Sequence, residues 1–114
     1  MILESVEDDL RSNLLVEKWL GYLLQYMDHD ALNKLMDYYQ RIGWISERAK
    51  KKLISIAEGI NSSRKGTWQV PSRVHITSLL FIFYLAHGEI PREIYGIKAY
   101  IDEFTANPEG MLSL

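Results

Sequence analysis

The sequence predicts an all-α protein, folded as a compact single-domain bundle of about five helices. Apolar residues recur at every third or fourth position in most segments of the 114-residue chain, which is the period of a helix. No segment has the strict alternation of a half-buried strand, and no internal repeat is present. Apolar residues make up 47% and charged residues 25%, so a domain of this length can bury a core. We assign residues 1–104 to the helical domain and residues 105–114 to a frayed tail.

The first two helices are predicted from a wide apolar stripe and the acidic residues that follow it. Helix one should run from about Asp8 to Met27, and Asp28 or Asp30 can cap a second helix that continues through Ile42. The stripe is too wide for one neighbour to cover. It consists of Leu10, Leu14, Trp19, Leu20, Leu23, Leu24 and Met27.

The stretch DYYQRIGWIS, residues 37–46, predicts a short and rigid helix junction. If Gly43 is the left-handed residue after helix two, a Schellman motif brings Tyr39 into contact with Trp44. Ser46 is then a natural N-cap for helix three, which should extend to Glu58. We therefore expect a structural junction built from Tyr39, Gly43, Trp44 and Ser46.

The second half of the chain contains one long polar connection and two further predicted helices. The connection INSSRKGTWQVPS is the place where a flexible loop is expected. Ser72 can cap a fourth helix through His87, which Gly88 should end. Its apolar run LLFIFYLA predicts the central helix of the bundle. Pro91 opens a fifth helix over roughly Arg92–Phe104.

No catalytic or cofactor signature is present, so we expect neither an enzyme nor a cofactor. The chain has no cysteine, no glycine-rich phosphate loop and no nucleophile elbow. His29 lies between two aspartates, but consecutive residues rarely converge on one ion, and we expect no metal site. The longest apolar run is eight residues, whereas spanning a bilayer takes roughly 20.

The charge is unevenly distributed along the chain. Residues 1–40 have a net charge of −5, residues 41–73 of +6, and residues 74–114 of −3. This layout favours docking to a complementary surface, although a solvated helix face with local counter-charges is the plainer interpretation. We predict a basic docking surface around Arg48, Lys51 and Lys52.

The same basic segment also fits a DNA-binding helix-turn-helix, with helix three as the recognition helix. Three consecutive lysines point in different directions, however, and a recognition helix uses side chains that reach base edges. The net charge of −2 for the whole chain also opposes nonspecific phosphate binding. A nucleic-acid-binding regulator remains the alternative interpretation.

Five tyrosine and tryptophan residues cluster in the first two helices, and one tryptophan lies in the polar connection. Tyrosine and tryptophan fill cores, but they also carry the binding energy of many protein interfaces. Trp68 lies among polar neighbours, so it either covers the protein's own core or is an exposed anchor. We predict that an apolar docking surface includes some of Trp19, Tyr22, Tyr26, Tyr38 and Trp68.

Three segments resemble, in order and spacing, the archaeal flagella accessory D/E domain family. They are LESVEDDLRSNLLVEKWLGYLL, LNKLMDYYQRIGWISERAKKKLISIAEGI and VHITSLLFIFYLAHGEI. The block DYY followed by IGWIS is the most specific part of the resemblance, which covers roughly residues 3–104. The tail and the connection NSSRKGTWQ depart from the family pattern.

The resemblance implies a cytoplasmic, non-catalytic scaffold of the archaellum, the rotating motility filament of archaea. It implies docking to other archaellum accessory proteins and motor components, and relay of switching signals from a chemotaxis adaptor and response regulator. Self-association is a further implied interaction. Recruitment to the membrane-bound motor would occur through these partners, with no direct nucleic-acid contact.

Overall fold

Four α-helices make up most of residues 1–92, which are the residues that this computed structural model describes. The helices are α1 (Leu10–Leu23), α2 (His29–Arg41), α3 (Glu47–Ala57) and α4 (Ser72–His87). The predicted all-α class is confirmed. Beyond residue 92, the predicted fifth helix and the tail at 105–114 lie outside the described residues.

Helix α1 begins and ends inside the predicted range. Asp9 is the N-cap, and its carboxylate accepts a hydrogen bond of 2.7 Å from the Ser12 amide. This bond lowers the pKa of Asp9, because it favours the charged carboxylate. The helix ends at Leu23, and a turn replaces the predicted last residues.

The predicted apolar stripe of α1 is wrong at its first two positions. Leu10 is 75% exposed and Leu14 is 47% exposed. Leu15 and Val16 are buried instead, because these positions face the helices that pack on α1. In the first half of α1 the inward face is therefore formed by Ser12, Leu15 and Val16.

Helices α1 and α3 each pack on two other helices among the described residues. Helix α1 packs on α3 and α4, and α3 packs on α1 and α2. The central position expected for α4 stays a prediction, since the predicted fifth helix lies outside the described residues. The α1–α4 contact is centred on Trp19, whose ring stacks on Phe81 with centroids 6.2 Å apart. The Trp19 indole nitrogen donates a hydrogen bond of 3.0 Å to the Ser78 hydroxyl, so the buried polar group is satisfied.

The α2–α3 junction has the predicted Schellman geometry. Gly43 has a φ of 84°, the Trp44 amide donates to the Tyr39 carbonyl at 2.9 Å, and the Gly43 amide donates to the Gln40 carbonyl at 3.0 Å. The rings of Tyr39 and Trp44 stack with centroids 4.9 Å apart. Ser46 caps α3 by accepting from the Ala49 amide at 2.9 Å.

We expect Gly43→Ala to lower the free energy of unfolding by about 1 kcal/mol or more, because a side chain strains the left-handed backbone. No atom lies within 4 Å of a Cβ built at this position, so the cost is conformational and not steric. Urea denaturation of the variant and wild type measures it. An unchanged midpoint would contradict the left-handed assignment.

The N-terminal segment is tied to this junction, which the sequence did not indicate. Leu3 is buried and forms an isolated parallel β-bridge with Ile45. The Leu3 amide donates to the Trp44 carbonyl at 3.0 Å, and the Ser46 amide donates to the Leu3 carbonyl at 2.9 Å. The Ser46 hydroxyl also donates to the Glu4 carbonyl. The N-terminal segment is therefore hydrogen-bonded to the residues that precede α3.

The connection between α3 and α4 is packed against the protein at several points, which argues against the flexible loop we expected. The Ser62 hydroxyl lies 3.1 Å from both the Leu24 and the Met27 carbonyl oxygens, beyond the end of α1. A His29 ring nitrogen lies 2.8 Å from the Ile60 carbonyl oxygen. Gly66 lies directly against the backbone of Tyr26.

Helix α4 ends as predicted but begins differently. Gly88 has a φ of 77° and ends the helix, and the Arg11 guanidinium donates to the Tyr84 carbonyl in its last turn. Ser72 is not the N-cap, because Pro71 occupies that position and no side chain caps the helix. Proline there presets the extended backbone that precedes a helix.

Candidate docking surface

Trp19 is not on a surface, which corrects one of the predicted partner-binding residues. Its exposed fraction is 0%, and both its ring and its indole nitrogen are used inside the core. A residue buried to this extent cannot contact a partner without unfolding of the domain. The part of the predicted stripe from Trp19 to Met27 is buried, and α1 has two packing neighbours, α3 and α4.

The remaining aromatic residues form one cluster at the meeting point of α1, α2, α4 and the α3–α4 connection. Tyr39 is fully buried in it, and the other members are partly exposed. Ring contacts form two groups: Tyr22 with Tyr26 at 5.4 Å, and Tyr38 with Trp68 at 5.2 Å and with His75 at 5.6 Å. The two groups adjoin: burial is the larger cause of the raised pKa of Tyr39, but Tyr22 is close enough to Tyr39 to contribute to it. We call the following set the aromatic cluster: Tyr22, Tyr26, Tyr38, Tyr39, Trp68 and His75.

Trp68 covers the protein's own core and also retains some exposed area. Its ring packs on Tyr38 with centroids 5.2 Å apart, and it is one of the partly buried residues against the main hydrophobic core. The polar connection therefore folds back so that its aromatic residue completes the cluster. The structure thus shows the first alternative, in which Trp68 covers the core, and the role of its exposed area as an anchor stays a prediction.

The cluster is a low-dielectric environment, and its titratable groups respond accordingly. Burial raises the pKa of Tyr22 to about 12 and raises the pKa of Tyr39 well above its usual range. Burial also lowers the pKa of His75, because the charged imidazolium is disfavoured. The His75 Nδ1 lies 3.0 Å from the Tyr39 hydroxyl, so the neutral ring keeps a hydrogen-bond partner.

Between about pH 7.5 and about pH 5, we expect the free energy of unfolding to fall less in the His75→Gln variant than in the wild type. The pKa of His75 is lower in the folded state than the usual value of 6.5, so the unfolded chain takes up the proton first. The contribution of His75 to the free energy of unfolding is present at pH values above its pKa in the unfolded chain. It is lost as the pH falls through its pKa in the folded protein. Thermal melts across this pH range test it.

His29 and His87 remain in the His75→Gln variant, so the difference between the two proteins isolates His75. Parallel loss of stability in variant and wild type would contradict burial of a neutral His75.

The basic residues of α3 are partly neutralised by acids that lie far away in the sequence. Lys50 pairs with Asp37 at 3.0 Å and Lys52 pairs with Asp8 at 2.9 Å. Lys51 lies 3.6 Å from Glu47 of its own helix. Arg48 is exposed and has no ion-pair partner within residues 1–92. Two of the three residues predicted for a basic docking surface, Lys51 and Lys52, therefore lie beside carboxylates, and the docking role of this surface stays a prediction.

These pairs also bear on the helix-turn-helix interpretation. A recognition helix needs its cations free to meet phosphates and base edges. Three consecutive lysines of α3 instead lie within 4 Å of carboxylates. No observation in the described part of the chain favours a nucleic-acid interface on this helix.

The sequence analysis missed a second group of cations, which surrounds the aromatic cluster. None of the five has a carboxylate partner at ion-pair distance among the described residues. One signal could have identified three of them, because the chain contains no acidic residue between Glu58 and Glu89. The group consists of Lys34, Arg41, Arg64, Lys65 and Arg73.

The described residues offer little to a metal ion or a cofactor. No group of three histidine or acidic side chains within them is placed to hold a metal ion. A shallow cleft of about 230 Å³ is lined by His29, Asn33, Ile54 and Glu58, but the histidine already bonds the Ile60 carbonyl. None of α1–α4 has the length and apolar character to cross a membrane.

Comparison with known proteins places the chain among flagellar proteins of archaea. A family model described as archaeal flagella protein matches residues 1–87. A flagella-related protein E from Methanococcus voltae is 31% identical over 95 residues, covering 80% of this chain and 70% of that protein. A flagella-related protein D from Methanocaldococcus jannaschii is 37% identical over 98 residues, covering 81% of this chain and 28% of that protein. No solved structure matches the chain.

Proposed function

Since the chain belongs to the archaeal flagella D/E family, we propose that it is a non-catalytic docking module of the archaellum motor complex. The family match over residues 1–87 is the observation that carries this proposal. It covers all four described helices, so the docking role is assigned to the helical block as a whole.

The packing of the domain supports a role as a rigid adaptor. Its junctions are short and capped, its N-terminal segment is hydrogen-bonded to the start of α3, and its long connection is packed on α1. A preorganised surface loses little conformational entropy when it binds a partner. Partly exposed aromatic rings and unpaired cations provide the two kinds of contact that such a surface uses.

The proposed partners are other archaellum accessory proteins and motor components. We further propose that the module works in the cytoplasm, reaches the membrane-bound motor through these partners, and relays switching signals from a chemotaxis adaptor or response regulator. The chain spans 70% of one protein E relative and 28% of one protein D relative. The role therefore describes a module, and the activities of the longer relatives are not transferred to it.

The test is co-purification of the affinity-tagged full chain from cells of the source archaeon, with mass spectrometry of the retained proteins. We expect enrichment of archaellum accessory and motor proteins. Reversing Arg48, Lys51 and Lys52 to glutamate should weaken this enrichment most at low salt, because surface charges steer association and are screened by ions. The fold should survive, since exposed ion pairs contribute only about 0 to 1 kcal/mol each.

A variant with glutamine at the same three positions is the matched control, because it removes charge without adding repulsion. Wild type that retains no archaellum protein would overturn the docking proposal. Normal retention by the reversed variant, together with loss of DNA binding, would favour the nucleic-acid-binding alternative.

A further inference from the structure

We propose that the aromatic cluster and its five surrounding cations bind an acidic segment of a partner protein, one in which carboxylates are interspersed with apolar side chains. The cations are Lys34, Arg41, Arg64, Lys65 and Arg73. We call this surface the basic aromatic face. The inference rests on the proposed docking role and specifies the chemistry of the partner.

Three of the five cations lie beside tyrosines of the aromatic cluster. The Arg41 guanidinium carbon lies 5.6 Å from the centre of the Tyr38 ring, and Lys34 is one helical turn before Tyr38. Arg73, in the first turn of α4, is close enough to Tyr22 to lower the pKa of that phenol slightly against the larger effect of burial. These three residues border the cluster on α2 and α4.

Arg64 and Lys65 are held over the cluster by fixed points on either side. Before them, the Ser62 hydroxyl bonds carbonyls at the end of α1, and after them Gly66 lies on the Tyr26 backbone. Trp68 then packs on Tyr38. The two exposed cations are thus presented by a short segment with both ends anchored, which lowers the entropy cost of binding.

The cations of this face outnumber the acids beside them. From Gly59 to Gly88 the chain contains Arg64, Lys65 and Arg73 but no aspartate or glutamate. On α2, Asp37 is paired with Lys50 of α3, and Asp30 lies one turn before Lys34 but outside ion-pair distance of it. Cations without carboxylate partners in their own protein favour carboxylates from another, and the arginines can bind them with two hydrogen bonds each.

Protein carboxylates fit this face better than nucleic acid does. Stacking of bases requires an open ring face, but the Tyr38 ring already contacts Trp68, His75 and the Arg41 guanidinium. The partly exposed rings are suited to apolar side chains instead. Ile42, which is 40% exposed, adds apolar area next to Arg41 in the chain.

The test uses the full chain and a fluorescein-labelled peptide in which glutamate alternates with leucine and phenylalanine. We expect saturable binding by fluorescence anisotropy at low salt, weakened by added salt. Arg64→Glu with Lys65→Glu should reduce affinity by about tenfold or more, because like charges then face each other. The same charge change at Arg11 and Arg92 is the matched control, because both are exposed and lie near the start of α1 and the end of α4, away from this face. It should change affinity by less than about threefold.

Three results would overturn the inference. One is no saturable binding of the acidic peptide, or equal binding of a control peptide with lysine at every glutamate position. Another is tighter binding of a single-stranded oligonucleotide than of the peptide at the same salt concentration. The third is concentration-dependent self-association that the Arg64→Glu, Lys65→Glu pair abolishes, since a second copy would then occupy the face.

Failure of this inference can be distinguished from failure of the docking proposal. If the chain does not bind the peptide but still retains archaellum proteins from lysate, only the proposal about the basic aromatic face fails. If it binds the peptide through Arg64 and Lys65 but retains no archaellum protein, the face stands and the docking proposal fails. Thermal melts of each variant confirm that the exposed substitutions leave the fold intact.

Discussion

We expect Phe81→Ala to lower the free energy of unfolding by about 3 to 5 kcal/mol, the largest effect of any single change considered. Phe81 is fully buried, and its ring stacks on Trp19 at the α1–α4 contact. Truncation removes this stacking and leaves a cavity that the closely packed helices fill only in part. Urea denaturation with comparison of midpoints and slopes measures the loss.

Two neighbouring positions on α4 serve as controls for Phe81→Ala. Phe83 is only partly buried, so Phe83→Ala should cost clearly less. Leu80 is buried, but in a smaller group with Ile90 that is separate from the main core. A loss below about 1 kcal/mol for Phe81→Ala would show that the α1–α4 contact is not part of the stable core.

We expect Gly66→Ala to destabilise the protein by about 3 kcal/mol, because an added Cβ overlaps backbone atoms. A Cβ built at Gly66 lies 2.0 Å from the Tyr26 carbonyl oxygen, 3.1 Å from its carbonyl carbon and 3.2 Å from the Met27 Cα. The backbone at the end of α1 cannot move aside as a flexible side chain would. The connection must therefore detach locally, and thermal melts would show a lower midpoint.

Gly21→Ala is the matched control for this prediction. Gly21 lies within α1 and no atom is within 4 Å of a Cβ built there, so alanine should raise stability by about 0.5 to 1 kcal/mol. Each glycine-to-alanine variant therefore reports one effect of an added methyl group. Gly66→Ala reports steric overlap, Gly43→Ala reports backbone strain, and Gly21→Ala reports helix propensity. Equal midpoints for the Gly66 and Gly21 variants would exclude the close approach of the connection to α1.

Helix ends with a side-chain or glycine signal could be predicted from the sequence, and those without one could not. Asp28, Ser46, Gly43 and Gly88 all act as predicted at their helix ends. These signals are local, since each depends on residues within one turn. The start of α4 was misassigned to a Ser72 cap because proline alone fixes that turn.

The candidate surface was predicted less well because it depends on contacts between distant residues. Trp19 and Tyr38 look alike in the sequence, yet one is buried between two helices and the other is partly exposed. The pairing of Lys52 with Asp8 joins residues 44 positions apart, so no local pattern could show that the basic charge of α3 is reduced. Composition alone cannot decide which cations remain unpaired.

The bridge between Leu3 and Ile45 makes one amide hydrogen a reporter on the first residues of the chain. The Ser46 amide lies at a helix N-cap, where no carbonyl of its own helix can accept its proton. Its partner is the Leu3 carbonyl, so its exchange with solvent requires detachment of the N-terminal segment. Exchange at Ser46 that is faster than at core amides of α1 would measure the free energy of this local opening, separately from global unfolding. A partner that binds the α2–α3 junction and stabilises the attached N-terminal segment would slow exchange of the Ser46 amide without contacting that amide.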